Sequence, residues 1–139
     1  MNDASPVDGH ALIRAFLEQS PFGNLLGLEL RELRDDHAEL GMRFDDRLVT
    51  AGQTTHGGAI SALIDTTATA ASWATSFPAM PARWGTASLT VDFVRAAEGR
   101  DLVCRADVVR RGRSLCHCTA EARDDEGVVA TGLVVYALS

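Results

Sequence analysis

A single acidic residue lies in the middle of a long segment that has no other formal charge. Between Arg47 and Arg83 the only side chain charged at neutral pH is Asp65. It belongs to the stretch HGGAISALIDTTATAASWAT, whose apolar and small residues occupy all sides of a helical wheel and predict a buried helix. Burying an ionised carboxylate without a partner costs several kcal/mol, so such a group is expected to be hydrogen-bonded or to take part in a reaction. Asp65 is therefore a candidate base or nucleophile.

The start of the same helix supplies a second candidate group. The residues Thr55, His56, Gly57 and Gly58 stand at this point, and the first amides of a helix lack internal partners and carry partial positive charge. Two glycines would let a carbonyl oxygen that gathers negative charge come close to these amides. The alternative is a tight turn that requires positive φ. His56 could act as a base, but we expect its ring to fix the loop by a hydrogen bond.

The spacing of these two groups constrains how they could cooperate. Gly57 and Asp65 are eight residues apart, and at 1.5 Å per residue they are separated by about 12 Å along one helix axis. One small reacting group cannot touch both. If both serve one reaction, the helix start must come from one protomer and the carboxylate from another, with two helices antiparallel about a two-fold axis. A site of this kind requires a dimer.

The rest of the chain predicts the elements that would position these residues. Helical spacing of apolar residues over 8–19, with Asp8 as N-cap, predicts a short amphipathic helix, and Pro21, Gly23 and Gly27 then break that pattern. Alternating residues over 28–33 and 38–44 predict a hairpin that turns at 35–36, and a loop follows over 45–55.

Four more strands are predicted beyond the long helix, which should end before Pro78. Their alternating or apolar runs lie at 86–93, 104–109, 116–122 and 128–138. Because consecutive strands with short turns pair antiparallel, the simplest architecture is α+β, with one sheet of about six strands wrapped around a single long helix.

Composition narrows the class of protein. The 139 residues suit a single domain, and a net charge of −6 argues against a nucleic-acid surface. The three cysteines make an odd count without the spacing of a secreted disulfide framework, which favours a reducing compartment, by default the cytoplasm. The uncharged stretch is too rich in Ser and Thr, and too poor in Leu and Ile, for a membrane span.

Three segments together resemble one known family. HGGAISALIDTTATAA, GTASLTVDFVRAAEG and VVRRGRSL look like the hotdog-fold acyl-CoA thioesterases of the phenylacetate-degradation, or PaaI-like, type, and the likeness covers roughly residues 45–138. The resemblance implies an antiparallel sheet around a central helix, with dimers commonly paired into tetramers. Residues 1–26 would then be an N-terminal helical segment, and residues 27–139 the hotdog core of a single domain 1–139.

The resemblance also implies roles for individual residues. Asp65 matches the catalytic carboxylate, and Gly57, helped by Gly58, matches the backbone donor to the thioester carbonyl. Thr86 matches a hydroxyl residue that helps to position water. Family members often carry Asn six positions before the motif histidine, and this chain has Thr50 there. Thr lacks the paired donor and acceptor of an amide, and Gln53 in the same loop could substitute.

The turn around Gly112 is the place where the resemblance puts contacts to CoA. Its phosphates and pantetheine would meet Arg111, Arg113 and Ser114, and the alternative is a solvated basic turn. An acyl pocket could be lined by aromatic residues that could equally belong to the core, namely Trp73, Phe77, Trp84 and Phe93.

One apparent metal motif is rejected. Cys116 and Cys118 should point to one side of a strand and His117 to the other, and no second ligand pair stands elsewhere in the sequence, so the cysteines are expected to be small core residues rather than zinc ligands.

The sequence thus predicts a homo-oligomeric acyl-CoA thioesterase that releases free acid and CoA, with no metal and no bound cofactor. The alternative is a non-catalytic hotdog module that binds acyl thioesters or serves in assembly. A hotdog hydratase ranks last, because the Asp and His spacing expected of it is missing.

Overall fold

One six-stranded antiparallel sheet and one long helix make up most of the structure. The computed structural model describes residues 8–75 and 81–139. Its helices are α1 (Gly9–Gln19), α2 (Pro21–Leu26) and α3 (Gly57–Trp73). Its strands are β1 (Leu28–Arg34), β2 (His37–Met42), β3 (Val49–Ala51), β4 (Thr54–Thr55), β5 (Trp84–Phe93), β6 (Leu102–Arg111), β7 (Leu115–Asp124) and β8 (Gly127–Leu138).

The order of strands in the main sheet is β1-β2-β6-β7-β8-β5, and every neighbouring pair is antiparallel. This confirms the predicted α+β architecture with about six strands. Among the four strands after α3, pairing of consecutive strands fails at one point, because β5 pairs with β8 and not with β6. The eight-residue connection 94–101 therefore leaves one edge of the sheet and enters β6 in its middle. As a result β5 is an edge strand.

The helix α3 packs across one face of the sheet and forms the centre of the core. Leu63 and Ile64 are fully buried there. The approach is close at Gly132 on β8, where a Cβ would lie 2.6 Å from Ile64 Cγ2. The three cysteines, on β6 and β7, are also in this core, whereas His117 is exposed, as strand alternation predicts.

Two helices precede the sheet, and only the first was predicted. In α1 the Asp8 carboxylate accepts hydrogen bonds from the first-turn amides, which confirms Asp8 as the N-cap. Residues 21–26 form a further helix rather than a break. Pro21 stands in the first turn, where its missing N–H costs nothing, and Ser20 Oγ accepts from Gly23 N at 3.1 Å. Gly27 ends this helix with φ of 69°.

The predicted loop 45–55 contains a short 3-10 turn and the β3–β4 hairpin. The helix α3 ends at Trp73, before Pro78, which lies outside the described residues. Within 8–75 and 81–139, no helix is long and apolar enough to cross a membrane.

The close contact at Gly132 generates a stability prediction. Gly132→Ala should lower the free energy of unfolding by about 1–3 kcal/mol, because Ile64 is buried and its branched carbon has no room to retreat. Urea unfolding measures this loss. In an Ile64→Ala background the same substitution should cost much less, since the obstructing methyl is gone. Equal losses in the two backgrounds would contradict the packing described.

Candidate functional site

The start of α3 presents one free amide. His56 is its N-cap, and His56 Nδ1 accepts a hydrogen bond from Gly58 N at 2.8 Å. The ring therefore fixes the helix start, as expected, and the Gly58 N–H is already used. Backbone bonds from Thr55 N to Ala97 O, at 2.9 Å, and from His56 N to Leu48 O, at 2.8 Å, anchor the turn. In the described part of the chain the Gly57 N–H has no acceptor, so it remains available to an oxyanion.

A shallow pocket of about 390 Å³ opens beside this amide. Gly57 and Thr50 both line it, so the structure brings together these two residues of the predicted site. Phe93 forms another wall, and a Cβ on Gly57 would lie 3.1 Å from its ring. Gln53 is not among the lining residues, because its side chain lies against Gly99.

Asp65 lies farther along α3 and is paired with Thr86. Thr86 Oγ1 donates a hydrogen bond of 2.6 Å to Asp65 Oδ1. The carboxylate is only half-buried, together with Ser61, Ala62 and Thr66, which form an accessible stripe on the helix. The prediction of a helix buried on all sides was therefore wrong for this stripe, because the sheet covers only one side of α3 and leaves these residues partly exposed.

A β-bulge aims Thr86 at the helix. Strict alternation would place Thr86 and Leu89 on opposite faces of β5. The register instead pairs Thr86 with Tyr136 and Leu89 with Val134, and both partners are buried. The irregularity between Thr86 and Ser88 shifts the register by one residue, so Thr86 and Leu89 share the face that meets α3.

An apolar pocket lies next to the carboxylate. It has a volume of about 100 Å³ and is lined by Leu12, Ile13, Phe16, Thr69, Trp73, Trp84 and Tyr136. Trp73 and Trp84 meet edge to face with ring centres 5.9 Å apart. These are two of the four aromatic residues considered for an acyl pocket. Phe93 lies at the other end of α3, beside Gly57, and Phe77 lies outside the described residues.

Tyr136 is a member of this pocket that the sequence did not single out. Its hydroxyl accepts a hydrogen bond from Trp73 Nε1 at 2.9 Å. Burial, reinforced by the negative charge of Asp65, raises the pKa of Tyr136, so its hydroxyl stays protonated at neutral pH. The only signal in the sequence was a tyrosine within an otherwise aliphatic strand, and nothing there placed it near Asp65.

The predicted CoA residues fall into two kinds. Arg111 donates to Asp36 Oδ1 at 2.7 Å and to Ser72 O at 3.1 Å, so it ties the β1–β2 turn to the end of α3. Arg113 and Ser114 are exposed in the turn between β6 and β7. Within the described residues, Arg113 makes no ion pair.

The structure thus forms two separate groups of predicted residues. Gly57 and Thr50 share the pocket at the helix start, while Asp65 and Thr86 are hydrogen-bonded beside the apolar pocket. A helix of this geometry keeps Gly57 and Asp65 about 12 Å apart along its axis. Within one chain the two groups are therefore separate.

Comparisons with known proteins agree on family and fold. The family model described as acyl-CoA thioesterase N-terminal domain matches residues 44–137. A thioesterase family protein from Silicibacter pomeroyi is 26% identical, with 90% of this chain and 93% of that chain covered and a TM-score of 0.82. A conserved protein from Pseudomonas aeruginosa is 29% identical over 86% of this chain and 94% of that one, with a TM-score of 0.78.

The PaaI protein of the E. coli phenylacetic acid degradation operon is 19% identical, covers 95% of this chain and 94% of its own, and has a TM-score of 0.83. At that identity the likeness shows the fold, which is the predicted hotdog arrangement. A search of curated proteins found no match.

The contact between Asp36 and Arg111 generates a prediction about stability and pH. Burial raises the pKa of Asp36, but hydrogen bonds from Arg111 and Thr75 and the charge of Arg111 outweigh it, so the net shift is downward from 3.8. The stabilisation is therefore present above pH 3.8 and is lost as the pH falls through the lower folded-state value.

Asp36→Asn, which keeps the tolerance for positive φ at this turn, should accordingly lower the free energy of unfolding at pH 7 by about 1 kcal/mol or less. The difference from wild type should shrink towards zero in acid, as measured by unfolding at a series of pH values. Asp35→Asn is the control in the same turn, because the Asp35 carboxylate is more exposed and meets His10 rather than Arg111. A difference independent of pH would contradict the role given to the Arg111 ion pair.

Proposed function

This chain belongs to the acyl-CoA thioesterase family and has the hotdog fold of PaaI-like thioesterases, and from that premise we propose that Asp65 and the Gly57 amide perform its hydrolysis of acyl-CoA thioesters. The observation that carries this assignment is the pair of half-sites on α3, a free helix-start amide and a carboxylate held by Thr86. We propose that the reaction uses no metal and no bound redox cofactor.

The chemistry requires a donor to the carbonyl oxygen and a group that delivers the nucleophile. The Gly57 N–H would stabilise the negative oxygen of the tetrahedral intermediate. Asp65 would take a proton from water as the water oxygen bonds to the acyl carbon, or its carboxylate would attack that carbon to form an anhydride that water then opens. In both routes the carbon–sulfur bond breaks, the CoA thiolate leaves and is protonated, and the free acid remains.

Thr86 supports this role by its position. Its hydroxyl occupies Asp65 Oδ1 at 2.6 Å, which leaves Oδ2 to face a water or a carbonyl carbon. Gly58 is proposed to act indirectly, since its amide supports the His56 cap rather than a ligand. Thr50 lines the pocket at Gly57 and could donate one hydrogen bond there.

The two halves of the site would come from two chains. The strand β5 is an unpaired edge, and three of its large apolar side chains are exposed: Trp84 by 53%, Leu89 by 40% and Phe93 by 54%. Such an edge invites pairing with another strand. Phe93 lies beside Gly57 and Thr86 beside Asp65, so β5 runs antiparallel to α3.

Antiparallel pairing of β5 with a second copy would therefore bring the Phe93 end of one strand to the Thr86 end of the other. Gly57 of one protomer would then approach Asp65 of its partner, which resolves the separation along a single helix. Association of two such dimers into a tetramer remains a prediction.

The acyl and CoA ends of the substrate also have candidate sites. The apolar pocket of about 100 Å³ beside Asp65 suits a small aliphatic or aromatic acyl group, because its lining offers the faces and edges of Trp73 and Trp84. Arg113 and Ser114 are free to contact phosphate or pantetheine. Arg111 is proposed to act indirectly, because it holds the start of the β6–β7 turn against Asp36 and Ser72.

Exchange of Asp65 tests the catalytic assignment. Asp65→Asn keeps the shape of the side chain and removes its charge, so kcat should fall by about 100-fold or more while binding of CoA ester is retained. Release of thiol from a panel of short, long and aryl acyl-CoA esters measures the loss. Hydrolysis at the wild-type rate would remove Asp65 from the proposed mechanism.

A mixing experiment tests the two-chain site with the same variant. Asp65→Asn and Gly57→Val chains should each be inactive alone, the second because its side chain would fill the approach to the amide. Refolded together in equal amounts they should recover about a quarter of wild-type activity, since half of the dimers are mixed and each mixed dimer has one intact site. No recovery, with mixed dimers verified by mass, would contradict a shared site.

Charge reversal at Arg113 tests the CoA site. Arg113→Glu should raise KM for CoA esters by about 10-fold with little change in kcat, because the lost contact is to the nucleotide and not to the reacting atoms. Acyl-N-acetylcysteamine thioesters, which lack the nucleotide, should be hydrolysed as before. The matched control is Arg110→Glu, which reverses the charge of another exposed arginine, on the preceding strand β6. Equal effects on both substrate classes would exclude Arg113 from CoA binding.

A further inference from the structure

A cluster of side chains on the face of the sheet away from α3 has no part in the proposed hydrolysis. On β2 the residues Ala38 and Leu40 point into the core, so His37 and Glu39, which alternate with them, point to the outer face. Glu32 on β1 pairs with Glu39 and shares that face. We propose that Glu32, His37 and Glu39 form a binding site for a divalent first-row transition metal ion, with Zn²⁺ as the representative.

The histidine is the residue that points to a ligand. His37 is only 7% exposed, and its Nδ1 lies 2.6 Å from Asp107 Oδ1. Because a carboxylate accepts, Nδ1 carries the proton in the neutral ring and Nε2 holds the free lone pair. Nε2 is buried and has no hydrogen-bond partner among the described residues. A buried nitrogen without a partner is costly, and a metal ion would satisfy it.

The arrangement around His37 matches that of metal-binding histidines. Such residues generally donate their second ring N–H to a carboxylate, which fixes the tautomer and the ring orientation and makes the ligating nitrogen more basic. Asp107, on the adjacent strand β6, is in the position to do this. It is therefore a positioning residue for the proposed site and not a ligand.

Two carboxylates supply the remaining protein ligands. One ligand atom from each of Glu32, His37 and Glu39 lies within 4.8 Å of the others, and Glu32 Oε2 is 3.6 Å from His37 Nε2. An arginine pairs with one oxygen of each carboxylate. Glu32 Oε1 meets Arg34 Nε at 3.0 Å, and Glu39 Oε2 meets Arg105 Nε at 3.0 Å. The second oxygen of each carboxylate can therefore turn towards a cation without breaking its arginine contact.

The backbone explains why two glutamates meet here. A register shift between Leu30 and Glu32 places Glu32 directly opposite Glu39, whereas an unbroken register would pair other residues. Like charges directly opposite each other on neighbouring strands are destabilising. A divalent cation bound between them would reverse this repulsion and join the edge strand β1 to β2.

The donor set selects the class of metal. One imidazole nitrogen and two carboxylate oxygens suit Zn²⁺ and Co²⁺ better than Mg²⁺ or Ca²⁺, which prefer oxygen ligands alone. Three protein ligands leave a coordination position for water. Since α3 covers the opposite face of the sheet, the ion would not contact Asp65 or Gly57, and its expected effect is on stability.

Titration of the intact, untagged chain tests the proposal. Isothermal titration with Zn²⁺ should show one saturable site per chain, and saturating Zn²⁺ should raise Tm by about 5 °C, because the ion binds only the folded state. Co²⁺ should give visible absorption bands typical of nitrogen and oxygen ligands, without the near-ultraviolet band of a thiolate. Thioesterase activity should be the same with and without Zn²⁺.

Four variants assign the site. Glu32→Gln, on a half-exposed side chain that should not disturb folding, and His37→Gln should each weaken binding by at least about 10-fold. Asp107→Asn should weaken it as well, whereas His117→Gln, which removes an exposed histidine elsewhere, should leave it unchanged. Absence of a stoichiometric site in the wild type, or binding that survives Glu32→Gln and is lost in His117→Gln, would overturn the proposal.

Discussion

The rigidity of one helix controls how this protein can work. A hydrogen-bonded helix cannot bend to bring its first amide to a carboxylate two turns away, so Gly57 and Asp65 stay about 12 Å apart along the axis. The sheet enforces this separation, because α3 lies flat against it with Leu63 and Ile64 fully buried. If both groups serve one reaction, that fixed distance requires a second chain.

The edge strand β5 is the place where a second chain could bring the other half of the proposed site. It contacts the Asp65 end of α3 through Thr86 and the Gly57 end through Phe93, and its outer edge is unpaired. A single bulge turns Thr86 inward without disturbing the inward position of Leu89. The same strand therefore holds the carboxylate and offers the apolar surface on which another copy could pair.

The two faces of the sheet carry different chemistry. The face towards α3 is built mainly from Ala, Leu, Val and Cys side chains, and it supports the helix that carries the proposed half-sites. The outer face carries the cluster around His37, where a buried ring nitrogen lies between carboxylates. Strand alternation separates the two, so a cation bound outside could stabilise the hairpin without reaching the reaction centre.

Much of this protein could be read directly from its residues. Several features depend on local geometry, which spacing alone determines. They are the helix in which Asp65 is the one charged residue, the His56 cap, the hairpin that turns at 35–36, and the alternation of Cys116, His117 and Cys118. The second helix was missed because proline can begin a helix as well as break one, and only the Ser20 cap decides between the two.

The remaining features depend on contacts between residues far apart in the chain. Four features have no local sequence signal. They are the pairing of β5 with β8, the bulge that directs Thr86 towards Asp65, the position of Tyr136 beside the carboxylate, and the ion pair between Arg111 and Asp36. Sequence determined which groups could do chemistry and how far apart they lie on one helix. Tertiary structure decided which groups meet, because strand order and register, which no local spacing encodes, set the partners of every side chain.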